Sequence, residues 1–271
     1  MKKNTPLISV ITVCLNSDKY IESCIKSVLK QDCNTYEYIV IDGGSVDGTV
    51  DIIKKYQNKL SYWHSLPDRG LSEAFNRGIE NSTGKWLLFL NSDDLLANPS
   101  VLHRMTRILK TFPNADVVLG QIMLMTRELN PRIKSGPYGK PISWSELRFN
   151  AIIPHQAAFT NRDYFKRIGL FDLRYRTITD YEHFLRGGKD IDIQFVPMVV
   201  SYMRDGGLSK KDIKKGLIDL KNAQIKTRAL PPAVAEINRI YLFARNLLGR
   251  TFIGKHWRIL RNRRLRKLNS C

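Results

Sequence analysis

Residues 36–49 read YEYIVIDGGSVDGT, and this stretch decides the interpretation of the fold. Its first seven residues are mostly β-branched or aromatic, which predicts a buried strand over 36–42. Gly43 and Gly44 then allow a tight turn, and Ser45 or Asp47 can cap a helix predicted over 49–56. The stretch therefore predicts one strand–turn–helix unit.

The same alternation continues on both sides of this unit. Further strands are predicted at 7–15, 60–65, 86–90, 115–120 and 192–197, and helices at 20–29, 71–79, 99–110, 161–168 and 180–187. Strands that alternate with helices form βαβ units, so we expect an α/β protein with a mostly parallel central sheet flanked by helices. Residues 127–142 are rich in glycine and proline and predict a loop.

Composition and charge limit the class of protein further. The 271 residues are 43% hydrophobic and 25% charged, which is typical of a globular chain. Only four cysteines are present, without a C-x-x-C pair, so we expect a reducing compartment and no disulfide framework. Residues 1–203 carry a net charge of +5, whereas residues 204–271 carry +14. The basic excess therefore lies in the tail and favours an anionic partner.

Polar residues follow each of the first four predicted strands. The four segments are Asn16–Asp18, 41–49 with Asp42, 67–78 with Arg69, and 91–94, which reads NSDD. In an open parallel sheet, ligands bind outside the carboxyl ends of the strands, so these segments predict a ligand site. A glycine-rich dinucleotide fingerprint, G-x-G-x-x-G, does not occur there. This argues against a nicotinamide enzyme.

Each segment also has an ordinary structural interpretation. Asp42 can accept hydrogen bonds from a base or ribose, or it can belong to a helix-capping turn. Asp93 and Asp94 can hold Mg²⁺ or Mn²⁺ against a diphosphate, or they can cap the helix near residue 99. Arg69 stands before a helix start, where a guanidinium suits a phosphate. The succession of polar strand ends favours the ligand site over the separate caps.

Seven strings of the sequence resemble a known family when they are taken in chain order. They are ISVITVCLN, YIVIDGGSVDGT, DRGLSEAFNRGI, GKWLLFLNSDD, PHQAAF, ITDYEHFLR and GGLS. Together they resemble the family 2 nucleotide-sugar glycosyltransferases of GT-A fold, and most of all the bacterial subgroup that builds O-antigen, capsule or colanic-acid-type polysaccharides. The resemblance covers about residues 6–209. It implies a catalytic domain over 1–209, with a nucleotide-sugar half over about 1–120 and an acceptor half over about 121–209, and a basic helical extension over 210–271.

The resemblance assigns roles to the residues of the donor half. Asp42 would hold the nucleotide base, and Arg69 would approach the donor. The remaining expected contacts of the nucleotide sugar are Thr12, Asn16, Gly43, Gly44, Asp47, Asn91 and Ser92.

The cation site is implied at NSDD, where the family commonly has two aspartates flanking one residue. Asn91 replaces the first of these, which leaves Asp93 as the expected ligand of Mn²⁺ or Mg²⁺, with Asp94 as a compensating ligand. An amide binds a cation more weakly than a carboxylate, so this replacement bears on metal dependence.

For the chemical step, the resemblance implies that Asp180 is the general base of an inverting transfer. Glu182 is the alternative base and an expected contact of the acceptor or the diphosphate. On the sequence alone Asp180 can instead cap the helix at 181–187. His155 can contact the acceptor, the diphosphate or the metal, or it can be a structural histidine. Gly206 and Gly207 are expected in a loop that closes on the diphosphate.

The tail is predicted to contain three basic helices, over 211–229, 232–248 and 254–268. No apolar run reaches the length of about 18 residues that a membrane span needs, and Asn16–Asp18 ends the run that superficially resembles a signal peptide. A basic amphipathic segment suits an anionic membrane surface, where a lipid-linked acceptor would be met. We therefore expect a cytoplasmic protein, peripheral at the inner face of the cell membrane. The alternative is a helical extension that packs on the catalytic domain.

Two other functions compete with the transferase. A nucleic-acid-binding protein would explain the charge, but no recognition motif for nucleic acid occurs and the acidic strand ends would remain unexplained, so no nucleic acid is expected as a partner. A catalytically inactive relative that binds nucleotide sugars would account for Asn91.

Overall fold

The structure is a computed structural model that describes residues 5–125, 131–135, 142–204 and 213–248. Within these ranges, none of the helices combines the length and the apolar character that crossing a membrane requires.

The first half of the sheet consists of four parallel strands. They are β1 (Ile8–Cys14), β2 (Tyr36–Asp42), β3 (Tyr62–Ser65) and β4 (Trp86–Asn91), in the spatial order β3-β2-β1-β4. The helices between them are α1 (Ile21–Leu29), α2 (Thr49–Tyr56) and α3 (Leu71–Glu80). The predicted βαβ units are confirmed, and the strand at 36–42 has the predicted bounds.

The second half of the sheet mixes parallel and antiparallel pairs. Its strands are β5 (Leu95–Leu96), β6 (Val117–Met125), β7 (Pro131–Ser135), β8 (Ala158–Asn161) and β9 (Ile193–Arg204), and the order continues as β4-β8-β6-β9-β5, with β7 on β6. The strands β6 and β9 pair in parallel, whereas β8 runs antiparallel to both β4 and β6. Prediction of a loop throughout 127–142 was wrong for residues 131–135. The α/β fold class is confirmed.

The remaining helices connect the strands of the second half or follow the last of them. They are α4 (Val101–Thr111), α5 (Trp144–Leu147), α6 (Arg162–Ile168) and α7 (Thr179–Arg186), and two basic helices follow, α8 (Ile213–Lys226) and α9 (Pro232–Leu248). Leu217 and Leu220 of α8 and Leu242 of α9 join the hydrophobic core, so the described part of the extension packs on the sheet-bearing part of the chain. The predicted helix at 254–268 and the predicted boundary at 209/210 lie outside the described residues.

Alternate residues of the central strands build one core on each face of the sheet. Ile8 and Val10 of β1 face one hydrophobic cluster, and Ile11 and Val13 face the other, which α3 covers. Gly78 lets α3 approach closely, since a Cβ at this position would lie 2.3 Å from the Cγ2 atom of Ile11. Packing on both faces holds the strands in place, and with them the carboxyl ends where the predicted ligand site lies.

Candidate active site

Two of the predicted ligand-binding segments lie at one edge of the sheet because of strand register. Cys14 at the end of β1 is the register partner of Asp42 on β2, and Val13 is the register partner of Asn91 on β4. Neighbouring strands are separated by about 4.8 Å, so Asp42 and Asn91 flank β1 at a separation of about 10 Å. This spacing suits an extended ligand that lies across the strand ends.

Asp42 is fully buried and organises the turn after β2. Its carboxylate accepts hydrogen bonds from the backbone N–H groups of Gly44 and Ser45, at 3.1 and 2.8 Å, and from the hydroxyls of Ser45 and Ser65, at 2.5 and 2.6 Å. Gly44 has a φ of +85°, a conformation that favours glycine. In this arrangement the carboxylate accepts hydrogen bonds from groups of the protein itself, and its contact with a nucleotide base stays a prediction.

The loops after β1 and β2 are tied to each other by polar side chains. The Asn16 side-chain oxygen accepts from the Val46 N–H at 3.0 Å, and the Asn16 N–H donates to the Ser45 hydroxyl at 2.7 Å. Asp47 accepts from the N–H groups of Asp18 and Thr49, at 3.2 and 2.9 Å. These contacts hold the predicted nucleotide loops as one unit.

Other predicted donor contacts differ in how accessible they are. Thr12 is fully buried, and its hydroxyl accepts from the Tyr38 hydroxyl at 3.1 Å, so it belongs to the interior beneath the site. The Arg69 side chain is 74% exposed and pairs with Glu73 at 2.8 Å, which leaves it accessible to an anionic ligand. A Cβ at Gly43 would lie 2.6 Å from an oxygen of Asp68, so a larger residue there would displace the Asp68 side chain.

The NSDD segment places buried side-chain oxygen atoms at the strand end. Within the described residues, the side-chain oxygen of Asn91 has no hydrogen-bond partner, and the fully buried carboxylate of Asp94 has the Gln156 side chain and the Arg204 N–H as its neighbouring donors. Ser92 instead donates to the Ser17 hydroxyl at 2.9 Å. Burial and repulsion from Asp93 raise the pKa of Asp94 to about 7. A buried carboxylate of this kind has a strong demand for a cation or a proton.

Helix capping does not account for Asp93 and Asp94. The following helix, α4, begins at Val101 with Ser100 at its N-cap position, and the short strand β5 lies between. The predicted alternative for these two aspartates is therefore wrong.

The oxygen atoms of this segment fit a hard divalent cation. Oxygen ligands suit Mg²⁺ and Mn²⁺, and Mg²⁺ commonly takes one or two protein carboxylates with phosphate oxygens and water. No group of three or more His, Cys, Asp or Glu side chains forms a metal cage in the part of the chain that the structure describes. Asp93 and Asp94 can thus supply part of a coordination shell that a diphosphate would complete.

Asp180 lies on α7 and is hydrogen-bonded to His155, which directly precedes β8 in the chain. The His155 Nδ1 atom is 2.9 Å from Oδ2 of Asp180, and the Tyr181 N–H donates to Oδ1 of Asp180 at 2.8 Å. A carboxylate only accepts hydrogen bonds, so Nδ1 of His155 carries the proton. The Asp180 side chain is 25% exposed, so it is held in orientation while it remains reachable by a ligand.

His155 is hydrogen-bonded to Asp180 and belongs to a short segment that packs on β4, the strand that leads into NSDD. Burial lowers the pKa of His155, but the hydrogen bond and charge of Asp180, with smaller contributions from Asp94 and Asp93, outweigh burial and raise the pKa above its ordinary value. The ring also makes an edge contact with Phe75, at a centroid distance of 5.6 Å. His155 therefore links the expected base to the expected cation ligands.

Glu182 does not share this site. Its side chain is fully buried, and it pairs with Arg186 on the same helix at 3.1 Å. Residues two positions apart on a helix point in nearly opposite directions, so Glu182 and Asp180 face different surroundings. This placement gives no support to Glu182 as an acceptor contact or as the alternative base. Gly206 and Gly207 lie outside the described residues.

Arg204 and Asp68 border the site although the local sequence around them does not predict a role in it. The Arg204 Nε atom donates to the Asp93 carbonyl at 2.9 Å, and its guanidinium lies 4.9 Å from the ring centroid of Tyr20. Asp68 accepts from the Gly70 N–H at 2.8 Å, and burial raises its pKa. The available signals were positional, since Asp68 directly precedes Arg69 in the third strand-end segment and Arg204 lies shortly before the GGLS string.

Comparison with known proteins assigns the chain to a group of relatives. The family model for glycosyl transferase family 2 matches residues 9–171. A PGL/p-HBAD biosynthesis glycosyltransferase of Mycobacterium bovis is 33% identical over 229 residues, which cover 82% of this chain and 86% of the relative. An uncharacterized glycosyltransferase of Mycobacterium tuberculosis is 33% identical over 187 residues, with 68% of this chain and 69% of the relative covered.

Solved structures share the fold at lower sequence identity. Residues 1–349 of S. aureus TarS in complex with UDP-GlcNAc match 89% of this chain and 74% of that chain, with a TM-score of 0.66 and 19% identity. The mannosyltransferase PcManGT from Pyrobaculum calidifontis, in complex with GDP-Man and Mn²⁺, matches 90% and 71%, with a TM-score of 0.59 and 17% identity. These likenesses show the GT-A fold.

Proposed function

Because this chain belongs to glycosyl transferase family 2 and is a glycosyltransferase, we propose that it is an inverting enzyme that uses a nucleoside-diphosphate sugar. The acceptor is a saccharide or a lipid-linked saccharide in the synthesis of a bacterial surface polysaccharide. The observation that carries the proposal is the hydrogen bond of Asp180 to His155, a histidine whose pKa the charges of Asp94 and Asp93 also raise. We further propose that residues 1–209 form the catalytic domain and 210–271 a basic extension.

In the proposed mechanism, Asp180 accepts the proton of the acceptor hydroxyl while that oxygen attacks the anomeric carbon. Each carboxylate oxygen has two acceptor positions, so the hydrogen bonds from His155 and Tyr181 fix the carboxylate and leave capacity for the hydroxyl. Attack occurs on the face opposite the leaving diphosphate, which inverts the anomeric configuration. A single general base suffices, because the leaving diphosphate needs charge stabilisation and no protonation.

His155 positions the base in this mechanism. Its Nδ1–H holds Oδ2 of Asp180, while its ring is fixed by burial and by the edge of Phe75. A side chain held by such neighbours loses little further freedom when the acceptor arrives, which lowers the cost of reaching the reactive geometry.

Asp93 and Asp94 would hold the divalent cation on the donor diphosphate. When bound, Mn²⁺ or Mg²⁺ neutralises the charge that develops on the leaving group. Asn91 adds a neutral oxygen beside them, and Arg204 fixes the backbone carbonyl of Asp93 at 2.9 Å. PcManGT, which shares the fold, was solved with Mn²⁺ and GDP-Man together, and this supports a cation beside the donor.

The donor class rests on the strand-end loops. We propose that the unit formed by Asn16, Ser45 and Asp47 receives the nucleoside, with Arg69 approaching the diphosphate. Relatives of this fold were solved with UDP-GlcNAc and with GDP-Man, so both nucleotides belong in the first screen.

A thermal-shift screen of nucleotide sugars, with and without Mn²⁺, tests the proposal. A ligand that binds only the folded protein at about 100 times its dissociation constant stabilises it by about 2.7 kcal/mol. We expect one nucleotide class to raise the melting temperature, and Mn²⁺ to increase that effect. Stabilisation without turnover over a panel of acceptors would indicate an inactive relative, and no stabilisation by any nucleoside diphosphate would contradict the proposal.

A further inference from the structure

The outward surface of α9 is an exposed apolar stripe. Five of its large side chains are more than half exposed: Ile237, Ile240, Tyr241, Leu247 and Leu248. Their spacing of three, four and seven residues places them on one face of the helix. We call these five residues the α9 outer face.

The opposite side of α9 already has its packing partner. Ala235, Asn238 and Leu242 are buried, and the Asn238 side chain donates to the Phe149 carbonyl at 3.0 Å. The helix is therefore anchored to the protein by one face and presents a second apolar face outward. An apolar surface of this kind on a polar, charged protein marks an interaction site.

We propose that the α9 outer face docks on an anionic lipid surface. Residues 249–271 follow α9 directly, and their sequence contains eight lysines and arginines and no acidic residue. Arg245 also lies beside the stripe, with its guanidinium 5.9 Å from the ring centroid of Tyr241. An apolar face that is followed in the sequence by a dense run of positive charge fits the boundary between acyl chains and anionic headgroups.

Charge also argues against a second copy of this chain as the occupant. Residues 204–271 carry 18 basic and 4 acidic residues, so two such segments brought face to face would repel each other. An anionic surface turns the same charge into attraction.

Docking through α9 would place α7, the helix that carries the expected base, two helix layers from the lipid surface. The helix α8 packs between α9 and α7, which carries Asp180. The Gln224 side chain of α8 donates to the Tyr181 hydroxyl at 3.1 Å and to the Arg148 carbonyl at 2.9 Å. This use of the surface rests on the proposed function, in which the acceptor is lipid-linked and therefore held at a membrane.

Vesicle co-sedimentation of the full chain tests the inference without any catalytic step. The probes are vesicles of phosphatidylcholine mixed with phosphatidylglycerol, and vesicles of phosphatidylcholine alone. The triple variant Ile237→Gln, Ile240→Gln, Leu247→Gln keeps good helix formers on exposed positions. We expect wild type to bind the anionic vesicles, and the triple variant to bind them at least about tenfold more weakly, because three side chains lose their apolar burial.

A matched control replaces exposed leucines elsewhere. Leu170 and Leu173 are 37% and 40% exposed on the connection between α6 and α7, so Leu170→Gln, Leu173→Gln is expected to bind as wild type does. Single variants at Ile237 and Leu248 serve if the triple variant is less stable. Donor-induced thermal shifts of each variant report the proposed function separately from lipid binding.

Three outcomes would overturn the inference. The first is wild type that ignores anionic vesicles, and the second is α9 variants that bind as tightly as wild type, which would assign binding to the basic tail alone. The third is self-association in sedimentation velocity that the triple variant abolishes, without vesicle binding, which would assign the stripe to a second copy of the chain.

Discussion

Replacing His155 with asparagine or with glutamine tests whether the residue acts by positioning Asp180 through its Nδ1 hydrogen bond or only by filling space beside it. The Asn amide nitrogen lies near the place of Nδ1, whereas the Gln amide nitrogen lies near the place of Nε2. Only the former can replace the 2.9 Å hydrogen bond to Oδ2 of Asp180. The two variants thus differ in one contact of the expected base.

The expected loss follows from that hydrogen bond. A hydrogen bond to a charged group contributes about 1.5–3 kcal/mol, and 1.36 kcal/mol corresponds to a tenfold change in rate. If the bond orients Asp180 for the chemical step, His155→Gln lowers kcat roughly 10- to 150-fold. His155→Asn is expected to retain kcat within about fivefold, since most of the bond is restored. The KM for the donor is expected to change little in both variants.

Steady-state kinetics with a saturating acceptor, and donor-induced thermal shifts, make the measurement. Equal losses of kcat in the two variants would refute positioning through Nδ1. A rise in donor KM with unchanged kcat would instead place His155 on the diphosphate, which is one of the roles expected from the sequence. Circular dichroism of both variants controls for misfolding, because the ring also packs against Phe75.

Three further predictions concern stability and the cation. Gly78→Ala is expected to lower the free energy of unfolding, measured by urea titration, by about 1–3 kcal/mol, since the new Cβ would lie 2.3 Å from Ile11. The control Gly48→Ala, where the nearest atom is 3.6 Å away, is expected to change it by no more than about 0.5 kcal/mol. A carboxyl with a raised folded-state pKa contributes stability at low pH and loses it as the pH rises through that pKa, here about 7 for Asp94. Without cation, Asp94→Asn should therefore raise the free energy of unfolding more at about pH 8 than at about pH 5, by about 2–3 kcal/mol, and equal effects at both would contradict the burial argument. Asp93→Asn should abolish the Mn²⁺-dependent part of the donor-induced thermal shift, and an unchanged Mn²⁺ effect in calorimetry would remove Asp93 from the cation site.

The sequence predicts the first half of the fold well because its signals are local. Strands such as 36–42 and 86–91 are continuous apolar runs buried on both faces, and they are separated by helices with clear apolar periodicity. Parallel pairing then brings their carboxyl ends to one edge, so the proximity of Asp42 to the NSDD segment follows from topology alone.

The second half is harder to predict because its strands are short and depend on tertiary pairing. The strand β5 has two residues and β8 has four, too few for a period to be read. Residues 131–135 pair antiparallel with β6 although Pro131 and the surrounding glycines and prolines indicate a loop.

Side-chain contacts within the site could not be predicted from the sequence, because they too depend on tertiary packing. His155 and Asp180 are 25 residues apart, and nothing in either local pattern indicates their hydrogen bond. The saturation of Asp42 by its own turn, and the burial of Glu182 against Arg186, likewise depend on how the helices pack.

The most direct test of the mechanism is a comparison of turnover and donor binding in Asp180→Asn. Removal of a general base costs about 10²- to 10⁴-fold in rate, whereas the donor contacts proposed at Asp93 and Arg69 are untouched. We predict that turnover falls by at least about 10²-fold, while calorimetry gives a donor dissociation constant within about threefold of wild type. Turnover that stays within about tenfold of wild type would contradict the assignment of Asp180 as the base.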